Sequence, residues 1–294
     1  MGFRTVIVSS RCKLETRLNY LVIRGETEQK IYLNELNTVI VQSTAVSLTA
    51  ALLCELNKNN VKVIFCDEKN NPQSELIPYY GAHNTSKRYK QQLQWSDQAK
   101  GHVWREIIMQ KIRNQAALLQ KLGFGEQCRL LNYYVEQVDE GDCTNREGHA
   151  AKVYFNCILP EGETRHGGGF VNKCLDYGYA VLLSAFNREI VASGYFTQLG
   201  IWHDNEFNQF NLSCDMMEPF RPIVDELALS LPDDAPNFKR EMANVLNLNA
   251  IQCGKRTTLD LVVRTYVRSV VAALEQDDMS LLAFPEKVIY GDEP

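Results

Sequence analysis

The sequence lacks a long apolar run: no window approaches the roughly 18 uninterrupted apolar residues that a membrane-spanning helix needs. Its first residues, MGFRTVIVSSRCK, lack the extended apolar segment and the small-residue cleavage site of a secretory signal. We therefore expect a cytoplasmic protein with no membrane partner. At 294 residues and 45% hydrophobic content, the chain can form one large domain or two ordinary ones around a substantial core.

The sequence also lacks any Cys-x-x-Cys pair, although it contains nine cysteines. Several of them, such as Cys54, Cys66 and Cys157, lie inside apolar runs. This distribution indicates reduced, mostly buried thiols and argues against both a disulfide framework and a structural zinc site. A nucleotide-binding glycine motif is missing too. The glycines of RHGGGF, residues 165–170, have neither the G-x-G-x-x-G spacing nor a following Lys-Ser or Lys-Thr.

Acidic and basic residues are unevenly distributed along the chain. The net charge of −5 argues, taken alone, against a nucleic-acid partner. Residues 85–121 nevertheless contain eight basic and two acidic residues, a balance of +6 that leaves −11 for the remainder. A polyanion responds to the field within about 10 Å, so this segment can hold phosphates; a solvated helix face is the alternative. The cations assigned to phosphate contact are Lys87, Arg88, Lys90, Lys100, Arg105, Lys111 and Arg113.

Short runs typical of β-strands fill the first eighty residues, among them TVIVSS, YLVIRG, TVIVQ and VKVIFCDE. One amphipathic helix, predicted over residues 47–57, interrupts them. Helical periodicity then continues from about residue 85 almost to the end. We therefore predict an α+β fold, with a small β-rich domain at residues 1–83 and a larger all-helical domain at residues 84–294. Exposed strand edges in the first domain would allow pairing with a second copy of the chain.

A histidine, several carboxylates and an arginine are concentrated in residues 200–226, GIWHDNEFNQFNLSCDMMEPFRPIVDE. Nitrogen and oxygen donors of this kind suit a hard or borderline divalent cation. Two of the carboxylates are three residues apart, the spacing that places side chains on one face of a helix. The cluster comprises His203, Asp204, Asp215, Glu218 and Arg221.

This cluster also has an ordinary structural explanation. Glu218 and Arg221 can form a salt bridge at i,i+3, and His203 can be a core histidine with satisfied hydrogen bonds. Pro219 should interrupt the helix, because it removes one backbone hydrogen bond and disfavours helical geometry at the residue before it.

A further candidate carboxylate, Glu147, lies about sixty residues upstream. It shares a predicted helix face with Ala150, Ala151 and Tyr154. A carboxylate on such a face either takes part in the chemistry of a site or caps the helix. The capped alternative is a Thr-x-x-Glu capping box that begins at Thr144. Neither His149 nor His166 has clustered carboxylate companions of its own, and neither is expected to be a ligand.

Three segments resemble a known family: EGHAAKVYF from Glu147, NKCLDYGYAVLLS from Asn172 and, most specifically, DMMEPFRPIVD from Asp215. They are similar to the CRISPR-associated integrase, the larger of the two universal spacer-acquisition proteins, and most similar to its compact type II versions. The resemblance covers the whole chain. It implies an N-terminal β-rich domain, a C-terminal helical domain, a homodimer formed through the former, and a small ferredoxin-like partner that completes a heterohexamer.

The resemblance also implies a set of metal ligands. The family's glutamate, histidine and acidic residue map onto Glu147, His203 and Glu218, with Asp215 and Arg221 as supporting residues. Much of the family has aspartate at the third position, so Glu218 is a departure, and Asp215 is the alternative third ligand. The implied cofactor is Mg²⁺ or Mn²⁺.

The implied function is that of a metal-dependent DNA endonuclease and integrase. It would insert captured foreign DNA into a CRISPR array by attack of a 3′-hydroxyl on a phosphodiester, with prespacer and CRISPR repeat as double-stranded substrates. Two carboxylates and an imidazole fit this chemistry, because they leave coordination positions open and provide no covalent nucleophile. The alternatives are a non-catalytic DNA-binding scaffold of the adaptation complex and a metal-dependent hydrolase of a smaller phosphodiester.

Overall fold

The chain divides into two compact units after Tyr79. The structure is a computed structural model that describes residues 4–79, 82 and 84–290. Strands predominate in the described residues of the first unit and helices in those of the second, so the predicted mixed α+β class is confirmed. The predicted boundary falls on His83, which lies outside the described residues, so the exact domain bounds stay a prediction. No helix in the described ranges combines the length and the apolar character needed to cross a bilayer.

The first unit contains two sheets. In chain order its strands are β1 (Arg4–Val8), β2 (Lys13–Arg17), β3 (Tyr20–Arg24), β4 (Glu28–Tyr32), β5 (Leu36–Val41), β6 (Ser47–Leu48), β7 (Lys62–Cys66) and β8 (Pro72–Glu75). One sheet has the order β1-β5-β7-β8, with the first three strands parallel, and the other has the order β4-β3-β2-β6. In the first sheet Val39 stands opposite Val6 and Val63. Every residue of β5 is buried, as expected for a central strand of a sheet that is covered on both faces.

One helix, α1 (Ala50–Lys58), packs its Leu52 and Leu56 into the core of this unit. It begins three residues later than predicted, because Ser47 and Leu48 pair with β2 as a short strand. Thr49 then forms the N-cap, since its hydroxyl accepts a hydrogen bond from the N–H of Leu52.

The second unit is built mainly from helices around an aromatic core. Phe186, Phe220 and Tyr266 are fully buried, and their neighbouring ring centroids lie 5.0 to 6.2 Å apart. The long central helix begins after Ser96, whose hydroxyl accepts the N–H of Ala99 at 3.1 Å. The helices are α2 (Thr85–Gln92), α3 (Asp97–Lys121), α4 (Gly125–Glu136), α5 (Arg146–Ile158), α6 (Phe170–Ala192), α7 (Asn211–Met217), α8 (Arg221–Leu229), α9 (Phe238–Ala243) and α10 (Leu259–Gln276).

The prediction that the second domain is all-helical is wrong in one respect. Strands β9 (Asn249–Gln252), β10 (Lys255–Thr258) and β11 (Lys287–Ile289) form an antiparallel sheet of the order β10-β9-β11. Strands β9 and β10 form a hairpin around Cys253 and Gly254, which both have positive φ, of 50° and 69°. Two positive φ angles in succession are the geometry of the tight hairpin turn that matches strand twist. The Cys-Gly pair was the sequence signal for this hairpin.

Candidate active site

Glu147 lies in the first turn of α5, but its carboxylate does not cap that helix. Asn145 supplies the N-cap, and Asp142 accepts the backbone N–H of Glu147 at 2.9 Å. The capping box starting at Thr144 is therefore not formed. The Glu147 carboxylate instead accepts a hydrogen bond from Lys111 Nζ at 2.5 Å. The Glu147 carboxylate is thus not used to cap its own helix.

Glu218 lies in a 3₁₀ turn, Glu218–Phe220, that interrupts the helical path between α7 and α8 at Pro219, where the sequence predicted an interruption. The turn is held from the side by Asn114, whose Nδ2 donates to the carbonyl of Pro219 at 2.7 Å. Arg221 Nε donates to Glu218 Oε1 at 2.8 Å, so the predicted i,i+3 salt bridge is present. Glu218 is only 4% exposed, and this pairing stabilises its buried charge.

Lys111 brings the two glutamates together. Its Nζ lies 2.5 Å from Glu147 Oε1 and 2.5 Å from Glu218 Oε2, so these two oxygens can be no farther apart than twice that distance. Lys111 is 7% exposed and lies in the middle of α3, on the face that also carries the buried residues Ile107 and Ile108. Burial disfavours its charged form, but Glu218 and Glu147 outweigh this and raise the pKa of Lys111.

His203 is held by Asp215, which is fully buried. The Asp215 carboxylate accepts the backbone N–H groups of Ile201, Trp202 and His203, the first two at 2.6 and 2.9 Å, and it also pairs with His203 Nδ1. The ring of Trp104 stands edge-on to the imidazole, with centroids 5.6 Å apart. An imidazole held through Nδ1 presents Nε2 to a ligand. Asp215 therefore shapes the loop and orients the histidine.

The surroundings shift the pKa values of Glu218 and His203 in opposite directions. Burial opposes ionisation of Glu218, but Arg221 and Lys111 outweigh it and lower its pKa to about 2. The hydrogen bond with Asp215 raises the pKa of His203, burial lowers it, and the charges of Glu218 and Glu147 raise it further.

Glu147 and Glu218 converge on one cation, the Lys111 ammonium, and His203 is held separately by Asp215. In the residues that the structure describes, no three His, Cys, Asp or Glu side chains are grouped so that they could hold a metal ion. The Lys111 ammonium lies between Glu147 and Glu218, while His203 Nδ1 is engaged with Asp215. The ammonium between the two carboxylates marks a position where a metal cation would be attracted, and oxygen-rich donors suit Mg²⁺ or Mn²⁺. The residues fit such an ion, and the identity of its ligands stays a prediction.

A cavity of about 360 Å³ opens beside Glu218. Arg165 and His166 line it together with Arg221 and Lys111. The acidic side chains of Asp176, Glu218 and Asp225 line it as well, so its wall carries charges of both signs. The sequence analysis did not select Arg165, because the glycine-rich segment that contains it matches no phosphate-binding motif, and it set His166 aside because that histidine has no clustered carboxylate companions. The available signal was a basic pair placed directly before three glycines.

The cations assigned to phosphate contact differ in their surroundings. Lys87, Lys90 and Arg113 are exposed. Lys100 is half-buried, with Asp97 at 3.8 Å. Lys111, which the sequence analysis assigned to phosphate contact, is buried between the two glutamates.

Two arginines of the same set are held by neighbouring groups. Arg88 donates to the hydroxyl of Tyr195 at 3.0 Å and to Glu275 at 3.1 Å. Arg105 donates to the carbonyl of Val138 at 3.0 Å and to Glu106 at 3.1 Å. Their contact with DNA stays a prediction.

The sequence is similar to one family over most of its length. The model of the family described as "CRISPR associated protein Cas1" matches residues 5–236. The CRISPR-associated endonuclease Cas1 of Neisseria meningitidis serogroup C (strain 8013) is 30% identical over 295 residues, which cover 97% of each chain. The predicted resemblance to type II versions fits this relative.

Two solved structures have a similar fold at lower sequence identity. A casposase bound to an integration product superposes with a TM-score of 0.77 at 19% identity, covering 94% of this chain and 92% of the casposase chain. A Cas6-RT-Cas1–Cas2 complex gives a TM-score of 0.73 at 19% identity, covering 97% of this chain and 36% of the other. At these identities the likeness concerns the fold alone.

Proposed function

The chain belongs to the CRISPR-associated Cas1 family, and from this premise we propose that it is a metal-dependent DNA endonuclease and integrase of spacer acquisition. It would insert captured DNA fragments into a CRISPR array by attack of a 3′-hydroxyl on a phosphodiester. The observation that carries this proposal is the convergence of Glu147 and Glu218 on a single positive charge, Lys111 Nζ, at 2.5 Å from each carboxylate.

The residues that would hold Mg²⁺ or Mn²⁺ are Glu147, Glu218 and His203. Between the two candidates for the third ligand we propose Glu218, because both oxygens of Asp215 are engaged by backbone N–H groups and His203. When bound, the ion would polarise a phosphoryl oxygen and stabilise charge on the attacking and leaving oxygens. Arg221 keeps Glu218 ionised and in place.

The substrate would be held by cationic side chains in the cavity and on the basic helices. Arg165, Arg221 and His166 line the cavity beside Glu218 and can bind a phosphate of the strand under attack. The exposed cations of the basic helices, Lys87 and Lys90 on α2 and Arg113 on α3, would hold duplex backbone without reading its sequence. The name of the casposase bound to an integration product supports DNA as the substrate class.

The protein would act as a homodimer formed through the β-rich unit, together with a small ferredoxin-like partner in a heterohexamer. In the described sheets of that unit, β1, β8, β4 and β6 are edge strands, each with one neighbour, and an edge strand can pair with another copy. The name of the similar Cas6-RT-Cas1–Cas2 complex supports a Cas2 partner.

Strand joining between a prespacer duplex and a repeat-containing duplex, with Mn²⁺ and the small partner, tests this proposal. Replacing either carboxylate, Glu147→Gln or Glu218→Gln, should lower the joining rate at least about a hundredfold, because a metal contributes several kcal/mol of transition-state stabilisation. His203→Ala should act in the same direction. The matched control is Glu226→Gln, which should retain the parental rate. It removes a carboxylate whose ion pair, among the residues that the structure describes, is with Lys121.

The scaffold alternative has one observation in its favour, since an ammonium already pairs with both glutamates. A scaffold would bind DNA in a salt-sensitive manner, insensitive to chelator, and would join no strands with any metal. Parental joining rates in folded Glu147→Gln and Glu218→Gln proteins would refute the site assignment.

A further inference from the structure

We propose that Lys111 is a built-in placeholder for the divalent cation: its ammonium occupies the position between Glu147 and Glu218 in the metal-free protein, and metal binding displaces it. The inference rests on the proposed function, because it takes the two glutamates as metal ligands. It adds that Lys111 competes with the metal and thereby sets the affinity of the site.

The contacts of Lys111 are those of a placeholder. Two carboxylates brought this close repel each other, and a buried charge without a partner is costly, so the metal-free site needs a positive charge of its own. The ammonium supplies that charge from the middle of α3, where it is 7% exposed. Glu147 and Glu218 reach it from α5 and from the turn after α7, so one nitrogen stabilises elements that are distant in sequence.

The contact with Glu218 is one that can be released. Glu218 Oε2 lies 2.5 Å from the ammonium, and the charge of Lys111 favours the ionised form of this carboxylate. A doubly charged ion between the two carboxylates would attract both of them more strongly than the single charge of the ammonium does. Glu218 is not left unpaired by the exchange, because Arg221 holds its other oxygen.

A place for the displaced ammonium exists one helical turn away. Gln115 follows Lys111 at i+4 on α3, so the two side chains lie on one face. Gln115 is 2% exposed, and its Oε1 has no hydrogen-bond partner among the residues that the structure describes. Both residues line the cavity of about 360 Å³ beside Glu218. The ammonium can therefore move into this cavity and find an acceptor there.

The test is a Mn²⁺ titration of the metal-free, full-length protein by calorimetry, without DNA. Lys111→Met keeps much of the side-chain volume and removes the charge. We expect it to bind Mn²⁺ about 10- to 100-fold more tightly than the parent, the range by which neighbours of metal ligands alter affinity. Its thermal midpoint should be lower than the parental one without metal and should recover when Mn²⁺ is added. Lys121→Met, on the same helix and paired with the single carboxylate of Glu226, is the matched control and should bind Mn²⁺ like the parent.

The outcomes separate the two proposals. If the parent joins strands with Mn²⁺ but Lys111→Met binds Mn²⁺ with equal or lower affinity, the placeholder is refuted and the proposed function stands. If the parent neither binds Mn²⁺ nor joins strands, both fail.

A measurement on the parent protein covers the case in which Lys111→Met does not fold. Lysines are acetylated with and without saturating Mn²⁺ and quantified by peptide mass spectrometry. Release of Lys111 should increase its labelling several-fold while labelling of Lys121 stays constant. Equal labelling of Lys111 in both conditions would refute displacement.

Discussion

At the scale of single residues, the site depends on how each ionisable group is held. Glu218 is buried between Arg221 and Lys111, which lower its pKa to about 2 against the effect of burial, so it is ionised at any physiological pH. His203 is fixed through Nδ1 by a carboxylate that also binds three consecutive backbone N–H groups. In the proposed metal site, these contacts would orient Glu218 and His203 before a cation binds.

Gly200 makes the approach of this loop to Asp215 possible. A Cβ at position 200 would clash with the carbonyl oxygen of His203 and would lie 2.8 Å from Asp215 Oδ2. We expect Gly200→Ala to lower the free energy of unfolding by about 1–3 kcal/mol, the usual cost of overpacking, and to slow strand joining by displacing His203. Chemical denaturation and the joining assay measure both effects. Gly125→Ala, where the nearest atom to a new Cβ is 3.9 Å away, should leave both unchanged. Parental stability and rate in Gly200→Ala would show that the close approach is dispensable.

At the scale of secondary structure, one long helix organises the site. The 25-residue helix α3 supplies three of its contacts. Trp104 packs against the imidazole of His203, Lys111 lies between the glutamates, and Asn114 donates to the turn that carries Glu218. Because a helix is rigid over this length, the three contacts keep their spacing. The shorter helix α2 differs from α3, because its Lys87 and Lys90 are exposed to solvent.

The exposed cations of α2 can be tested through the salt dependence of DNA binding. Each phosphate contact contributes about 0.9 to the slope of log K against log salt concentration. The double substitution Lys87→Gln/Lys90→Gln should therefore weaken duplex binding and reduce the magnitude of this slope by about two, with Mn²⁺ affinity unchanged. Fluorescence anisotropy at several salt concentrations gives the slope. Lys255→Gln/Arg256→Gln removes two exposed charges from β10 and serves as the control. Equal slopes for the two double variants would contradict a specific role of α2.

At the scale of the whole molecule, stability depends on a carboxyl group that is buried between helices. Asp225 on α8 accepts hydrogen bonds from the hydroxyls of Tyr154 on α5, at 2.7 Å, and Tyr179 on α6, at 2.5 Å. This cluster joins three helices around the cavity beside Glu218. Burial raises the pKa of Asp225 to about 6, although the two tyrosine hydrogen bonds oppose the shift.

The raised pKa of Asp225 predicts a specific dependence of stability on pH. Between about pH 4 and pH 6 the folded state binds more protons at this group than the unfolded state does, so its contribution to the free energy of unfolding falls as pH rises through that window. The fall amounts to up to about 3 kcal/mol. Asp225→Asn should remove this component, so the difference between variant and parent in urea denaturation should change with pH between 4 and 7. The exposed Asp233→Asn is the control and should follow the parental profile. A pH-independent difference for Asp225→Asn would contradict the prediction.

Much of the fold followed from local pattern. The strands of the first unit and the helices after residue 84 were predictable because side-chain periodicity is a property of neighbours along the chain. The hairpin of β9 and β10 was missed, because its strands are four residues long and its only strong signal is the Cys253-Gly254 turn. The late start of α1 was missed because it depends on the pairing of Ser47 and Leu48 with a distant strand.

The sequence by itself determined the mixed fold class, the family and the candidate ligands Glu147, His203 and Glu218, since these depend on residue types and their order. Only the tertiary structure decided which groups those side chains contact. Lys111 lies on the buried stripe of α3 although its charge had assigned it to phosphate contact, and Glu147 fitted a capping box that does not form. The physical reason is that the free energy of a charged or capping side chain depends on the groups that contact it in space. Here those groups come from helices that are separated by tens of residues in the sequence.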